Sequence, residues 1–285
     1  VTSALISPEA LAALLADDGA ADPLLLDVRW TLAGSDPAGY EEGHLPGAVF
    51  LDLDRELAAP PGEGGRHPLP TAASVETTFR RLGIAPDRDV VVYDGGVAAA
   101  AARAWWVLRW AGHERVRVLD GGLPAWTAAG GALGAGAVVP EGARDVVVRV
   151  GGLPVLDADD VLAGRADVLL DARAPERFRG ESEPIDPVAG HVPGAVNVPT
   201  SALLGPDGRY LPPVRLREVL AVAGAPAAGG AGAAVGRSVG AYCGSGVTAA
   251  QLVLALHEVD VDAALYAGSW SHWVRDPERP VAVGG

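Results

Sequence analysis

A single cysteine, Cys243, interrupts the run AYCGSGVTAA at residues 241–250. The apolar residues before it read as a strand, and VTAAQLVLALHEV behind it has helical spacing, so the thiol falls between a strand end and a helix N-terminus. In open parallel sheets that end of the strands is where ligands bind. Gly244 and Gly246 let the backbone curl around the sulfur with several N–H groups turned inward, and the helix dipole adds partial positive charge. Such a setting favours the thiolate, the reactive form of cysteine. Core packing is the usual role of a lone buried cysteine, but Gly-Ser-Gly directly after a strand is poor material for a core.

Two chemistries suit a thiolate in such a loop. A cysteine-based phosphatase requires an arginine six residues on, to clamp a dianion in bidentate fashion; that position is Ala249, which removes the main electrophile. Sulfur transfer needs less. The thiolate takes a sulfane or thiol sulfur, carries it as a persulfide and passes it to a second nucleophile, while residues 244–248 (Gly244, Ser245, Gly246, Val247 and Thr248) cradle the negative charge. Ser245 either hydrogen-bonds the leaving group and relays a proton or is a small turn residue. A non-catalytic redox-sensing or partner-binding protein with a reactive thiol is the more distant alternative.

The elements that must hold this loop occur twice. LLLDVRW with Asp27 returns as LLDARAP with Asp171, 144 positions on, and EGHLPGAVFLD with His44 returns as AGHVPGAVNVP with His191, 147 on. VVYDGG aligns with GAYCGS, setting Tyr93 and Asp94 against Tyr242 and Cys243 at a spacing of 149, and DGGLPAW aligns with AGSWSHW, Trp126 against Trp273, at 147. Four matches in one order define a duplicated domain. Short apolar runs such as PLLLDV and DVVVYD read as buried strands, and VAAAAARAWWVLRWAG as a helix ended by glycine, so each half is expected to be an α/β unit with a parallel sheet flanked by helices. The glycine-rich segment from about 131 to 152 reads as belonging to neither copy, giving domains at 1–135 and 153–285 joined by a linker at 136–152. GAPAAGGAGAAVGRS at 224–238 reads as a loop of low complexity. Because Asp94 stands where the second copy has Cys243, the fold itself does not require a thiol there.

Composition bounds the partners. A net charge of -14 argues against nucleic acid and anionic membranes, and no apolar run is long enough to cross a bilayer. No charged-then-apolar leader is read, and a single cysteine asks for no oxidising compartment, so a soluble, cytoplasmic protein is expected. All 22 basic residues are arginine, so any anionic substrate needs locally placed guanidinium groups. Scattered histidines without paired spacing predict no metal, and no organic cofactor is expected. The internal duplication makes a monomer the expected state.

Taken together, the duplication, CGSGVTA, both GH(L/V)PGA motifs and DGGLPAW resemble the tandem-domain sulfurtransferases of the rhodanese family over nearly the whole chain. The resemblance implies two rhodanese-like domains packed face to face, the first catalytically silent because Asp94 replaces cysteine. It makes Cys243 the sulfur carrier, with a small anionic donor and a thiol, cyanide or thioredoxin-like acceptor. CGSGVTA is similar to the loop of the 3-mercaptopyruvate branch. Arg177, in ERFRG within DARAPERFRGESEP, matches the family arginine that binds the donor's anionic group; Arg173 and Arg179 flank it. Nine residues beyond Arg177, where that branch tends to have a second arginine, stands Asp186, which is closer to the thiosulfate branch. A serine, histidine and aspartate acting together in the 3-mercaptopyruvate branch would here be Ser245, His44 and Asp36; the alternative, suggested by His191 in the same motif of the other copy, is that this histidine serves the turn's hydrogen bonding in both halves. Trp105, Trp106 and Trp110 are expected to pack in the core, and Trp270 and Trp273 to wall the pocket. Ala267 and His272 occupy places where the family often has aspartate and glutamate.

Overall fold

The computed structural model describes residues 3–17, 22–225 and 237–285. The low-complexity stretch read as a loop at 224–238 lies mostly outside them.

In the first half the chain runs β1 (Leu5–Ile6), α1 (Pro8–Leu15), β2 (Leu24–Asp27), the small hairpin β3 (Trp30–Thr31) and β4 (Gly34–Ser35), α2 (Pro37–Glu42), β5 (Val49–Phe50), α3 (Leu53–Glu56), α4 (Ala72–Leu82), β6 (Val90–Tyr93), α5 (Ala99–Trp110), β7 (Val116–Leu119) and α6 (Gly122–Ala128). Five strands form a parallel sheet in the order β1-β7-β6-β2-β5. LLLD and VVVY are buried throughout, as a parallel sheet covered on both faces requires. Helix boundaries follow local chemistry. The Thr71 side chain accepts from the Ser74 N–H at the start of α4, and Gly83, at φ +79°, ends it.

The second half repeats the plan with β8 (Val155–Leu156), α7 (Ala158–Leu162), β9 (Val168–Asp171), α8 (Pro175–Phe178), β10 (Val196–Asn197), a 3-10 turn at Thr200–Leu203, α9 (Pro213–Val222), β11 (Val239–Tyr242), α10 (Val247–His257), β12 (Ala263–Tyr266) and α11 (Ser269–Trp273). Its sheet order, β8-β12-β11-β9-β10, is the first sheet's order strand for strand. The helices that follow the two central strands, α5 and α10, pack against each other. Both are apolar nearly all round and buried nearly all round, which is what a helix enclosed by its own sheet and a neighbouring domain must be. Trp105 and Trp106 are fully buried in this seam, in one core cluster that draws on both halves. The seam therefore places the loops N-terminal to α5 and α10 where the halves meet.

The segment 131–152 after α6 packs along the first half. Gly134 bridges to His44 just as Ala282 bridges to His191, so the stretch after α6 and the C-terminal tail are equivalent edges. Farther on, the segment runs along the first half, through Val138 N–H to the Tyr40 hydroxyl, Ala143 N–H to Arg80 O and Gly152 N–H to Trp110 O. Backbone partners along a neighbouring surface leave little in sequence to show them, because glycine and alanine carry no pattern.

Candidate active site

Cys243 follows the last residue of β11, is 1% exposed, and its sulfur accepts the Gly246 N–H at 3.1 Å. Its backbone is pinned by Ser269, whose hydroxyl accepts the Cys243 N–H at 3.1 Å, and by the Trp270 and Ser271 N–H groups, which donate to the carbonyls of Cys243 and Gly244. Gly246 has φ +82°, and a Cβ there would overlap the Ala267 carbonyl oxygen, so the tight loop depends on this glycine. Val247 begins α10 and, with Gly244, Ser245 and Thr248, lines a cavity of about 460 Å³ that also touches Cys243, Arg177 and residues of the first half, Trp30 and Arg66.

The equivalent loop of the first half shows what such a loop can hold. Asp94 is buried, and its carboxylate accepts four backbone N–H groups: Gly96 and Ala98 on Oδ1, Ala100 and Ala101 on Oδ2, at 2.9–3.2 Å. Burial pushes this carboxyl up, and the four donors pull against that. The loop is an anion cradle already filled by its own side chain.

Arg177, on α8, turns into the cavity with its side chain 16% exposed, held by Glu183 at 2.6 Å and Asp186 at 3.3 Å. Arg173 is committed elsewhere. It pairs with Asp171 at 2.6 Å, donates to the Gly190 carbonyl and lies over the Trp270 ring, as Arg29 pairs with Asp27 in the other copy. Arg179 is an exposed partner of Glu181.

His44 and Asp36 are not part of this site. His44 is buried with Nδ1 on the Tyr40 carbonyl at 2.9 Å and its ring stacked on Tyr40; His191 does the same with the Phe178 carbonyl and ring. Both histidines fix the turn of their motif. The Asp36 side chain caps α2 by accepting the Gly39 N–H. The histidine that does meet Ser245 is His67, whose Nδ1 lies 2.8 Å from Ser245 Oγ and whose Nε2 lies 3.4 Å from Asp54. Asp54 only accepts, so the imidazole proton faces it on Nε2, and Nδ1 accepts from the Ser245 hydroxyl. Burial first, then the neighbouring Arg103 guanidinium, lowers His67 to about 4, so the ring is neutral at neutral pH. A signal for His67 was present in the repeat: GRHPLP at 65–70 matches GRYLPP at 208–213, which sets His67 against Tyr210.

Arg103, fully buried on α5, donates to the Leu57, His67 and Pro68 carbonyls of its own half and across the seam to Gly246 O at 3.3 Å. Burial holds it down, to about 10, and the Cys243 sulfur acts the other way. Trp270 and Trp273 do not wall the cavity: they are buried, with their indole N–H groups on the Val188 and Pro280 carbonyls. Trp30 from the first half takes that place, edge-on to His67. His272 meets the Tyr266 hydroxyl at 2.9 Å, and Ala267 is buried. Among the described residues, no three His, Cys, Asp or Glu side chains converge as a metal site requires, and no helix is long and apolar enough to cross a membrane.

The model of the rhodanese-like domain matches this chain twice, at residues 7–129 and 157–276. The chain belongs to the rhodanese family. Among its relatives, SseB of Mycobacterium tuberculosis, which carries a thiosulfate sulfurtransferase name, is 49% identical over 272 residues and 93% of each chain. The 3-mercaptopyruvate sulfurtransferase of Escherichia coli is 34% identical over 273 residues, covering 90% of this chain and 91% of that one. The crystal structure of Escherichia coli SseA, described as a 3-mercaptopyruvate sulfotransferase, superposes with a TM-score of 0.78 at 32% identity over 95% of this chain and all of that one. In this rhodanese-family chain the second domain holds the cysteine, and the first reaches across the seam with His67, Arg66 and Arg103.

Proposed function

We propose that this sulfurtransferase takes its sulfur from 3-mercaptopyruvate in preference to thiosulfate, carrying it on Cys243 as a persulfide. The names of its relatives point to both donors, so the argument rests on the proton each donor has to move. When the Cys243 thiolate attacks the thiol sulfur of 3-mercaptopyruvate, an S–S bond forms and the C–S bond breaks. The electron pair then goes to the methylene carbon as pyruvate enolate. The donor's thiol proton must reach that carbon, leaving a persulfide anion and pyruvate with no outside oxidant. Thiosulfate releases sulfite, a stable anion that needs no proton. The Ser245–His67 hydrogen bond beside Cys243, backed by Asp54, is the observation that carries the reading, because a proton relay is useful only for the first donor.

In this mechanism Arg177 holds the donor carboxylate, and the Gly244–Thr248 loop with the Gly246 N–H stabilises the charge on the outer sulfur. Asp94 in its own loop is the internal precedent for an anion so held. The acceptor is a thiol, cyanide or a thioredoxin-like protein reaching the open cavity, and a lone thiol cycling through a persulfide fits a reducing, cytoplasmic setting.

The test is intact mass after brief exposure of the reduced protein to 3-mercaptopyruvate or to thiosulfate, with Cys243→Ser as control and a thiol acceptor added afterwards. The expected result is gain of one sulfur atom on the wild type alone, faster from 3-mercaptopyruvate and lost again to the acceptor. Faster loading from thiosulfate would overturn the donor assignment. A thiol that alkylates freely but loads from neither donor would leave a sensing role instead.

A further inference from the structure

Asp186 stands where a second donor-binding arginine was expected, yet the cavity holds a second guanidinium. Arg66 reaches it from the first half, and its Nη1 pairs with Asp186. Its backbone N–H donates to Ser271 Oγ at 3.0 Å, and Gly65 before it has φ +104° and lies against Gly268 and Ser271 without room for a side chain. The segment is thus docked on the very turn that pins Cys243.

The acids also fix which nitrogens remain available. Asp186 takes Nη1 of Arg66, while Glu183 takes Nε and Nη2 of Arg177, with Nη2 also 3.3 Å from Asp186. Among the described residues no hydrogen bond engages Nη2 of Arg66 or Nη1 of Arg177. A Cβ placed on Gly244 would lie 2.9 Å from the first of these and 3.5 Å from the second. Two donor groups from different halves therefore converge on one point, one residue from the nucleophile, in space that only glycine leaves open.

We propose that Arg66 is a donor-binding and specificity-determining residue, forming with Arg177 a clamp for a small carboxylate over Gly244, and that Asp186 is the hook that holds Arg66 in place. The substrate class it selects is a short α-keto acid bearing sulfur, and the proposal rests on the donor reading given above. Acid at position 186 and cation at position 66 then act as a unit: the charge that would come from the second half comes from the first.

Alkylation of Cys243 tests the clamp without any sulfur transfer. Iodoacetate is a small carboxylate, and iodoacetamide is its neutral near-isostere. Their rate ratio, read by mass in wild type, Arg66→Gln and Arg66→Lys, isolates binding of the anion from reactivity of the thiol. Arg66→Gln should lower the iodoacetate-to-iodoacetamide ratio about tenfold, the loss of one charge-assisted hydrogen bond. Arg66→Lys should recover part of it, since it keeps the charge but not the fork. In steady state, KM for 3-mercaptopyruvate should rise more than kcat falls. An unchanged ratio in Arg66→Gln, or equal slowing of both reagents, would overturn the clamp and reduce Arg66 to a seam ion pair. A lowered ratio in a protein that nonetheless prefers thiosulfate would uphold the clamp and sink the donor reading alone.

Discussion

The proton relay depends on a histidine that stays neutral. With burial and Arg103 holding His67 at about 4, Nδ1 accepts a proton throughout the neutral range and ceases to do so only as pH falls through that value. An ordinary histidine would shut the relay near 6.5. The rate of sulfur loading from 3-mercaptopyruvate should therefore lose its His67-dependent part with a midpoint near 4. In His67→Gln that limb should vanish and loading should slow by about 10²-fold, with thiosulfate loading much less affected. Single-turnover loading across pH in both proteins measures this, and a His67-dependent limb near 6.5 would show that the imidazole is not held neutral. The position of His67 also shows where sequence reading stopped. His44 matches the family's histidine by resemblance, but its motif recurs in both halves, as a turn residue would, and its ring is consumed by the Tyr40 carbonyl. His67 lies 178 residues from Ser245 in a loop of proline and glycine, and no local periodicity joins them.

Strand, loop and helix were legible because each unit repeats with its own chemistry: buried VVVY or VGAY, a glycine-rich turn, then an alanine-rich helix. Contacts between halves were not, since they depend on how two all-buried helices cross. The duplicated loop offers its own test as an element. Asp94 satisfies four N–H groups, and the three at Ala98, Ala100 and Ala101 are buried away from water. Asp94→Asn puts an NH2 against two of those donors, which should cost about 2–3 kcal/mol while leaving Cys243 able to load. Urea denaturation reads the first effect and intact mass the second. A loss below about 0.5 kcal/mol, the range of ordinary surface changes, would mean that the loop does not hold an anion as drawn, and would weaken the same claim for its partner around Cys243.

At the scale of the whole molecule, the half without the cysteine is a working part. It supplies Arg66 and Trp30 to the cavity and His67 to Ser245 on the cavity's wall, and through Arg103 it places a buried cation beneath the cysteine loop. Every hydrogen bond of Arg103 goes to a neutral carbonyl, so its burial is uncompensated by any carboxylate among the described residues, and a negatively charged sulfur on Cys243 would favour it. Linkage makes this reciprocal: if an anion on Cys243 stabilises Arg103, then Arg103 stabilises the anion, and loading should strengthen the seam between the halves. The persulfide form of the wild type should melt about 2–4 °C above the reduced form, the shift expected from about 1 kcal/mol in a protein of this size. In Arg103→Met the reduced protein should lose about 2–4 kcal/mol from unsatisfied carbonyls, and the gain on loading should disappear. Calorimetry of both forms of both proteins reads the difference. If loading raises the melting temperature equally with and without Arg103, the loop amides alone hold the charge and the first half contributes shape only. If the rise depends on Arg103, the domain with Asp94 in place of a cysteine has an electrostatic share in the chemistry of the other.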